Sequence, residues 1–382
     1  MMEFERLKRR NQEYLLIETI KRVGPSNYSL LARLTGLNPE TVRYKISKQL
    51  PKYGLGLTVN INYGELGFSM GLLKVKSNSS SGKSWLDHTH YIMLLSKVVG
   101  TDSYLCLYGI PFRFKKKYAE SFEELKQKKL IDEYSMTELY WIRYPPFRSE
   151  LYNFDTRCWN VDWKKIEATS QEAGVTSFAV NHDPKVDDVD IKILKYLKED
   201  PTFGLAKLGK EIGVNPRTVR YHHTEHVVKG NLIIGNNVRW TWPLQQGKSS
   251  EIMQVMAEFK GLEQEEITNV RKLFNKLPFT WVEGGTEGKD YFAFLDIPIL
   301  TFHDCIRFIE TTLEDVRSKL EVSILDSTKT QYMSVPDEMF DKRLGWRLFG
   351  ADEQPQAPAP AGTVEETRES RPVSDEGRRP RR

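Results

Sequence analysis

Two stretches of the chain, 177 residues apart, carry apolar residues in the same order. Leu16, Ile17 and Ile20 recur at the spacing of one helix face, and Ile193, Leu194 and Leu197 repeat that spacing. The pattern predicts helices over residues 13–23 and 189–199. Shorter periodic stretches predict second helices at 29–34 and 206–212. Each ends at a glycine, Gly36 or Gly213, where a turn between helices calls for left-handed backbone. Residues 36–44 then return as residues 213–221 with seven of nine positions identical. In both copies Asn precedes Pro (Asn38-Pro39 and Asn215-Pro216), a strong N-cap followed by the residue favoured at the first helical position. Third helices are therefore expected over 38–50 and 215–227, with Val42, Ile46 and Leu50 continuing the apolar seam of the first. Three short helices joined in this way read as a helix-turn-helix, present twice.

Behind each helical unit the apolar period alternates between two and 3.6. In the first half, 67–76 reads as strand, 85–99 as helix, 104–112 as strand, 115–130 as helix and 138–143 as strand. In the second, 252–259 reads as strand, 265–277 as helix, 279–283 and 290–296 as strands, 302–313 as helix and 320–325 as strand. The rhythm is βαββαβ, a ferredoxin-like unit. A short echo, Phe154-Asp155-Thr156-Arg157 and Phe340-Asp341-Lys342-Arg343, closes each half. The expected fold class is α+β, a tandem duplication of a winged or trihelical helix-turn-helix followed by a ferredoxin-like domain. The boundaries fall at 1–56 and 186–235 for the helical units, and 57–160 and 236–348 for the α/β domains. Residues 161–185 form a linker, and 349–382 a disordered tail. Residues 351–382 of that tail have no aromatic residue and cannot bury enough apolar surface to fold alone.

Composition narrows the class. With 39% hydrophobic and 28% charged residues, the chain reads as a globular protein, and no apolar run is long enough to span a membrane. Cys106, Cys158 and Cys305 are widely spaced and odd in number, which points away from a disulfide framework and toward a reducing, cytoplasmic setting. The net charge of +4 is unevenly spread: residues 1–56 hold eleven Lys/Arg against five Asp/Glu, whereas residues 186–231 hold eight against seven. Only the first helical unit has the excess expected of a phosphate-binding surface.

A helical unit needs an apolar seam inside and a polar face outside if it is to enter a DNA groove. On the first unit the outer set is Asn38, Glu40, Thr41, Arg43, Tyr44, Lys45 and Lys48; on the second it is Asn215, Arg217, Thr218, Arg220, Tyr221 and His222. Arg and Lys suit phosphates or guanine edges, Thr and Asn base edges or backbone, and Tyr a phosphate.

The Asn-Pro-x-Thr-Val-Arg-Tyr helix with a βαββαβ domain behind it resembles the Lrp/AsnC transcription regulators, especially archaeal ones. The resemblance implies double-stranded DNA as partner and α/β domains that pair into a homodimer or, with two units in one chain, an intrachain pseudo-dimer. It also implies small effectors such as amino acids, and a protein that is not an enzyme and needs no cofactor. Gly284-Gly285-Thr286-Glu287-Gly288 is the candidate relic of the family's effector signature, although a hairpin turn between two strands is the simpler explanation. An alternative resemblance is to the sirohaem decarboxylases of haem biosynthesis, which share the architecture. It would engage His303 with Arg307, or His88 and His90 with Arg113. A non-specific architectural DNA-binding protein is a further alternative. Weaker signals are the Ser-rich stretch 77–84, which mimics a phosphate-binding loop, and the run from Arg113 to Lys129, read as a solvated helix face. His222, His223 and His226 are read as phosphate or solvent contacts rather than metal ligands.

Overall fold

The structure is a computed structural model and describes residues 2–77, 85–86, 89–166, 175–177, 184–240 and 251–348. In the first half, helices α1 (Met2–Val23), α2 (Tyr28–Thr35), α3 (Pro39–Tyr44) and α4 (Leu50–Lys52) lead into strand β1 (Leu55–Ile61). Strands β2 (Phe68–Lys76), β3 (Ile92–Lys97) and β4 (Ser103–Pro111), helix α5 (Lys115–Gln127) and strand β5 (Glu133–Leu139) follow. Short strands β6 (Trp141–Arg143), β7 (Tyr152–Asn153), β8 (Cys158–Trp159) and β9 (Val175–Ser177) complete the half. The second half has helices α6 (Asp188–Glu199), α7 (Leu205–Glu211) and α8 (Pro216–Tyr221), then strand β10 (Ile233–Trp240). Strand β11 (Ile252–Phe259), helix α9 (Gln264–Phe274), strands β12 (Thr280–Gly285) and β13 (Tyr291–Pro298), helix α10 (Phe302–Thr312) and strand β14 (Leu320–Leu325) follow. Strands β15 (Gln331–Tyr332), β16 (Phe340–Asp341) and β17 (Gly345–Trp346) close it.

The helix starts obey the expected devices. Asn38 Oδ1 accepts from the Thr41 backbone N–H at 2.7 Å, and Asn215 Oδ1 from that of Arg217 at 2.9 Å. Gly36 and Gly213 sit at φ 71° and 68°, where any side chain would be strained. Both third helices then widen into a π-turn, over Lys45–Gln49 and His222–Val228.

What the local pattern does not reveal is how the halves interlock. Strands β1 and β10 pair antiparallel with each other, and Val59 lies opposite Asn236, the residue 177 positions on. A local two-fold axis therefore passes through that pair. Four strands of each half form a sheet, ordered β3-β4-β2-β5 in the first and β14-β11-β13-β12 in the second. Each sheet is extended by the other half: β6 adds beside β12, and β15 adds beside β3. The cores cross in the same sense. Leu16, Ile17, Leu31 and Val42 of the first helical unit pack in one cluster with Val255, Phe259 and Phe274 of the second sheet. Ile193, Leu194, Leu208 and Val219 of the second unit join the cluster built on Leu72, Leu94 and Leu107 of the first sheet.

Three sequence expectations change. The expected helix at 85–99 gives way to strand β3, whose run Ile92-Met93-Leu94-Leu95 is buried along its length between β4 and β15. A short, continuously apolar run fits a doubly covered strand as well as a helix. The expected strand at 138–143 breaks at Tyr140, so that β5 and β6 belong to different sheets. The closing echo is offset by two residues. Asn153 Oδ1 accepts from the backbone N–H groups of Asp155 and Thr156, and Asp341 Oδ1 from those of Arg343 and Leu344. Asn153 thus matches Asp341, each capping the turn of a small hairpin. His88, most of the Ser-rich stretch and the tail at 349–382 lie outside the described residues.

Candidate functional site

The third helices present the expected outer faces, with two exceptions. Glu40, Arg43, Tyr44 and Lys48 are exposed and Thr41 is half-buried; on the second unit Arg217, Thr218, Arg220 and Tyr221 are exposed. Arg43 lies 3.6 Å from Glu40 and over the Tyr28 ring. Asn38 and Asn215 are exposed but spend their side-chain oxygens on capping. Lys45 and His222, counted with the outer set, turn inward instead. Lys45 is 7% exposed, and its Nζ meets Glu13 Oε1 at 2.6 Å, with Gln49 Nε2 donating to the same oxygen at 2.7 Å. His222 Nδ1 meets Asp190 Oδ1 at 2.9 Å. The reason is the phase of the helix: a buried carboxylate on the first helix of each unit needs a donor directly opposite.

A cavity of about 300 Å³ that draws on both halves lies between the two sheets. Met93 and Leu94 of β3 and Leu107 of β4 form one wall; Trp281 of β12 and Tyr332 of β15 form another. Tyr63 and Tyr144 add rings, and Lys198, at the end of α6, and Arg239, on β10, supply cations. A hollow of about 60 Å³ shares Tyr144, Lys198, Arg239 and Trp281 with it and reaches Asn60 and Asn237.

Arg239 is held rigidly. Its guanidinium carbon lies 3.9 Å from the centre of the Trp281 ring and 4.3 Å from that of Tyr332, and Nη2 lies 3.6 Å from Asp296 Oδ2. Gln254 Nε2 donates to Asp296 Oδ1 and to the Tyr332 hydroxyl, both at 2.9 Å, while Thr330 donates to Gln254 at 2.8 Å. Such a sandwich suits a guanidinium and not an ammonium.

Lys198 is different. Its Nζ donates to the Val59 carbonyl at 3.2 Å and faces the Tyr144 ring, with no ion-pair partner among the described residues. Burial, reinforced by Arg239, pushes the ammonium pKa down to about 8. The equivalent residue of the first half, Lys21, lies 2.5 Å from Glu18, but position 195 holds lysine where the first half has Glu18. Lys195 pairs with Asp337 and leaves Lys198 uncompensated. Burial raises Tyr332 to about 12 and Tyr144 well above its ordinary value, so both phenols keep their protons. A cation held without a counter-ion in a cavity wall costs stability, a signature of a site arranged for a ligand.

Sequence reasoning missed Lys198 and Arg239. Their sole sequence signal is the exchange of Glu18 for Lys195, which shows only once the halves are aligned. The residues proposed for an enzymatic alternative lie elsewhere. His303 and Arg307 bond each other at 2.6 Å on the outer face of α10. Arg113 is occupied by the Leu344 and Trp346 carbonyls, and His90 does not line the cavity. Gly284 and Gly285 are explained by packing: a Cβ on Gly284 would come within 2.7 Å of the Trp141 carbonyl on the exchanged strand β6.

No protein-family model and no curated protein matches the chain. Among solved structures it is similar to the sirohaem decarboxylase NirDL, at 12% identity over 85% of this chain and 96% of that one, with a TM-score of 0.49. A co-complex of NirDL with an iron-uroporphyrin III analogue matches at 11% identity over 82% of this chain and 90% of that chain, with a TM-score of 0.48. It is also similar to AsnC of E. coli, at 17% identity over 36% of this chain and 91% of that chain, with a TM-score of 0.28. The expectation of a chain that is not an enzyme is thereby corrected, because both NirDL structures, whose likeness spans most of the chain, are of an enzyme. No helix among the described residues is long and apolar enough to cross a membrane.

Two outcomes follow from the buried charges. Lys45→Met, which strands Glu13, should cost about 3–5 kcal/mol in urea unfolding, whereas Glu13→Leu with Lys45→Met should recover most of that loss. Equal losses in the single and double variants would contradict the pairing. For Lys198 the folded pKa lies below the ordinary 10.5, so the unfolded chain binds more protons between about pH 8 and 10.5. Stability should therefore rise with pH across that window. Lys198→Met should be more stable than the parent below pH 8, by an amount on the order of 3 kcal/mol that shrinks toward pH 10.5.

Proposed function

We propose that the cavity between the halves binds a planar, carboxylate-bearing small molecule and that the chain acts on it as an enzyme of the sirohaem-decarboxylase kind. The observation that carries this reading is Lys198, a cation without a counter-ion on the wall of an aromatic cavity. Arg239 beside it, already paired with Asp296 and stacked on Trp281 and Tyr332, would add a second positive charge, and Tyr63 and Tyr144 would cover the ring faces of the ligand. The volume, about 300 Å³, is at the lower bound for small-molecule sites and suits an aromatic acid or one acidic edge of a macrocycle. Decarboxylation leaves an electron pair on carbon that must take up a proton. An apolar wall raises the energy of a bound carboxylate relative to CO2, and Lys198 and the phenols of Tyr63, Tyr144 and Tyr332 are the proton donors that line the cavity. With it we infer a tandem architecture, two helix-turn-helix units each followed by an α/β domain and joined as an intrachain pseudo-dimer; among the described residues the full βαββαβ order is present in the second half.

Visible-absorption titration with an iron uroporphyrin, with mass spectrometry for CO2 loss, tests the proposal. Lys198→Met and Arg239→Lys should each weaken binding roughly tenfold or more. An aromatic amino acid serves as the second ligand. If it alone binds, the cavity is an effector site and the enzymatic reading fails; if neither binds, the cavity assignment fails.

A second reading has its own observation. Tyr44 and Tyr221, at matching positions, are 55% and 58% exposed, each beside an exposed arginine, Arg43 or Arg220. Large exposed aromatics flanked by cations suit double-stranded DNA, with phosphates supplying affinity and the outer residues specificity. Arg43→Ala should weaken DNA binding and lower its salt slope by roughly one counterion. Identical binding by parent and variant over a salt series would exclude that surface.

A further inference from the structure

His222 and His226 lie four residues apart, on the face of the second unit's third helix that turns inward against α6. Their Nδ1 atoms meet the two oxygens of the fully buried Asp190 at 2.9 and 3.0 Å. Asp187, the N-cap of α6, places Oδ1 3.5 Å from His222 Nδ1. Together these four side chains bring one ligand atom each to within 4.8 Å of one another.

The first unit shows what such a carboxylate ordinarily requires. At the positions 177 residues earlier stand Glu13, Lys45 and Gln49, and there the Lys45 ammonium neutralises Glu13 from within the chain. In the second unit the lysine has become His222 and the glutamine His226. The fixed positive charge is gone, while the carboxylate has become more deeply buried. An isolated buried carboxylate is costly, and here the Nδ1–H groups of two imidazoles donate to it in place of the missing charge; an ion bound there would take the place of those two protons.

We propose that Asp187, Asp190, His222 and His226 form a binding site for a divalent first-row cation, with Zn²⁺ the best chemical match. Two imidazoles and two carboxylates are an ordinary donor set for that ion. A tetrahedral zinc with ligands at about 2.0–2.2 Å has its donor atoms about 3.3–3.6 Å apart. Of the six separations among the four donors, two (2.9 and 3.0 Å) need to open by a few tenths of an ångström, one (3.5 Å) already fits, and all lie within 4.8 Å. His226 is one-third exposed, which gives an ion a route in from solvent. Bound there, the ion would tie the start of α6 to the third helix and fix the outer face that carries Arg217 and Arg220.

The test uses the full chain, stripped with a chelator, dialysed against Zn²⁺, passed through a desalting column and analysed for metal, with Co²⁺ absorption as a geometry probe. The parent should retain one equivalent of Zn²⁺, give the intense visible bands of four-coordinate Co²⁺ and unfold at a higher temperature with the ion than without it. The variant His222→Lys with His226→Gln copies the set used by the first unit, so it should fold with unchanged circular dichroism and lose all three responses. Should the variant fail to fold, Asp187→Ala, which keeps the buried pairs, should still lower zinc retention. A parent that retains no zinc, or a variant that retains as much as the parent, would overturn the proposal.

Discussion

The antiparallel pairing of β1 with β10 is the constraint on which the rest of the structure depends. Neither strand belongs to a sheet of its own half, and among the described residues neither has another partner strand. Their seven paired positions hold the halves about the axis at Val59 and Asn236. Each buried backbone group left unpaired would cost about 1–3 kcal/mol, so the strands can be buried only together. Once they pair, α1 packs on β10 and α6 on β1, the helical units cross onto opposite sheets, and β6 and β15 reach the sheet edges they complete. Glu283, buried on β12, is matched by Arg143 from the exchanged strand β6 and by the Tyr291 hydroxyl, so even a charge in the second sheet is balanced from the first half.

That arrangement explains where the unmatched buried charges lie. A cavity between two equivalent sheets collects side chains from both, and its contents need not be symmetric. Lys21 and Lys198 occupy matching places, yet one is neutralised by Glu18 and the other has only the Val59 carbonyl and the Tyr144 ring, because position 195 is lysine. Glu13 and Asp190 also match, but one is answered by an ammonium and the other by two imidazoles. In each pair the backbone is held in common, and the exchange of one partner residue (Glu18 for Lys195) or of two (Lys45 and Gln49 for His222 and His226) decides what answers a buried charge.

Much of this is legible in the sequence, for physical reasons. Helix boundaries follow from local chemistry: Asn-Pro starts and glycine ends act over three or four residues, and they locate α3 and α8. The second-half strands alternate between a covered and an open face, and that alternation locates them too. Strand β3 escapes such a reading because burial on both faces removes the alternation. Lys45 and His222 look like outer residues because a six-residue helix leaves its phase ambiguous by one position, which is enough to turn a side chain inward. The cavity is invisible in the sequence because Lys198, Arg239 and Trp281 lie far apart along the chain and meet only in the folded structure.

The covalent link between the halves has a consequence of a different kind. In an assembly of identical subunits every substitution appears twice, and the complex falls apart on dilution. Here the mutual concentration of the halves is set by chain length, so interlocking does not depend on how much protein is present. Each half is also free to accumulate its own changes. One fold can thereby keep a left and a right that no longer do the same work.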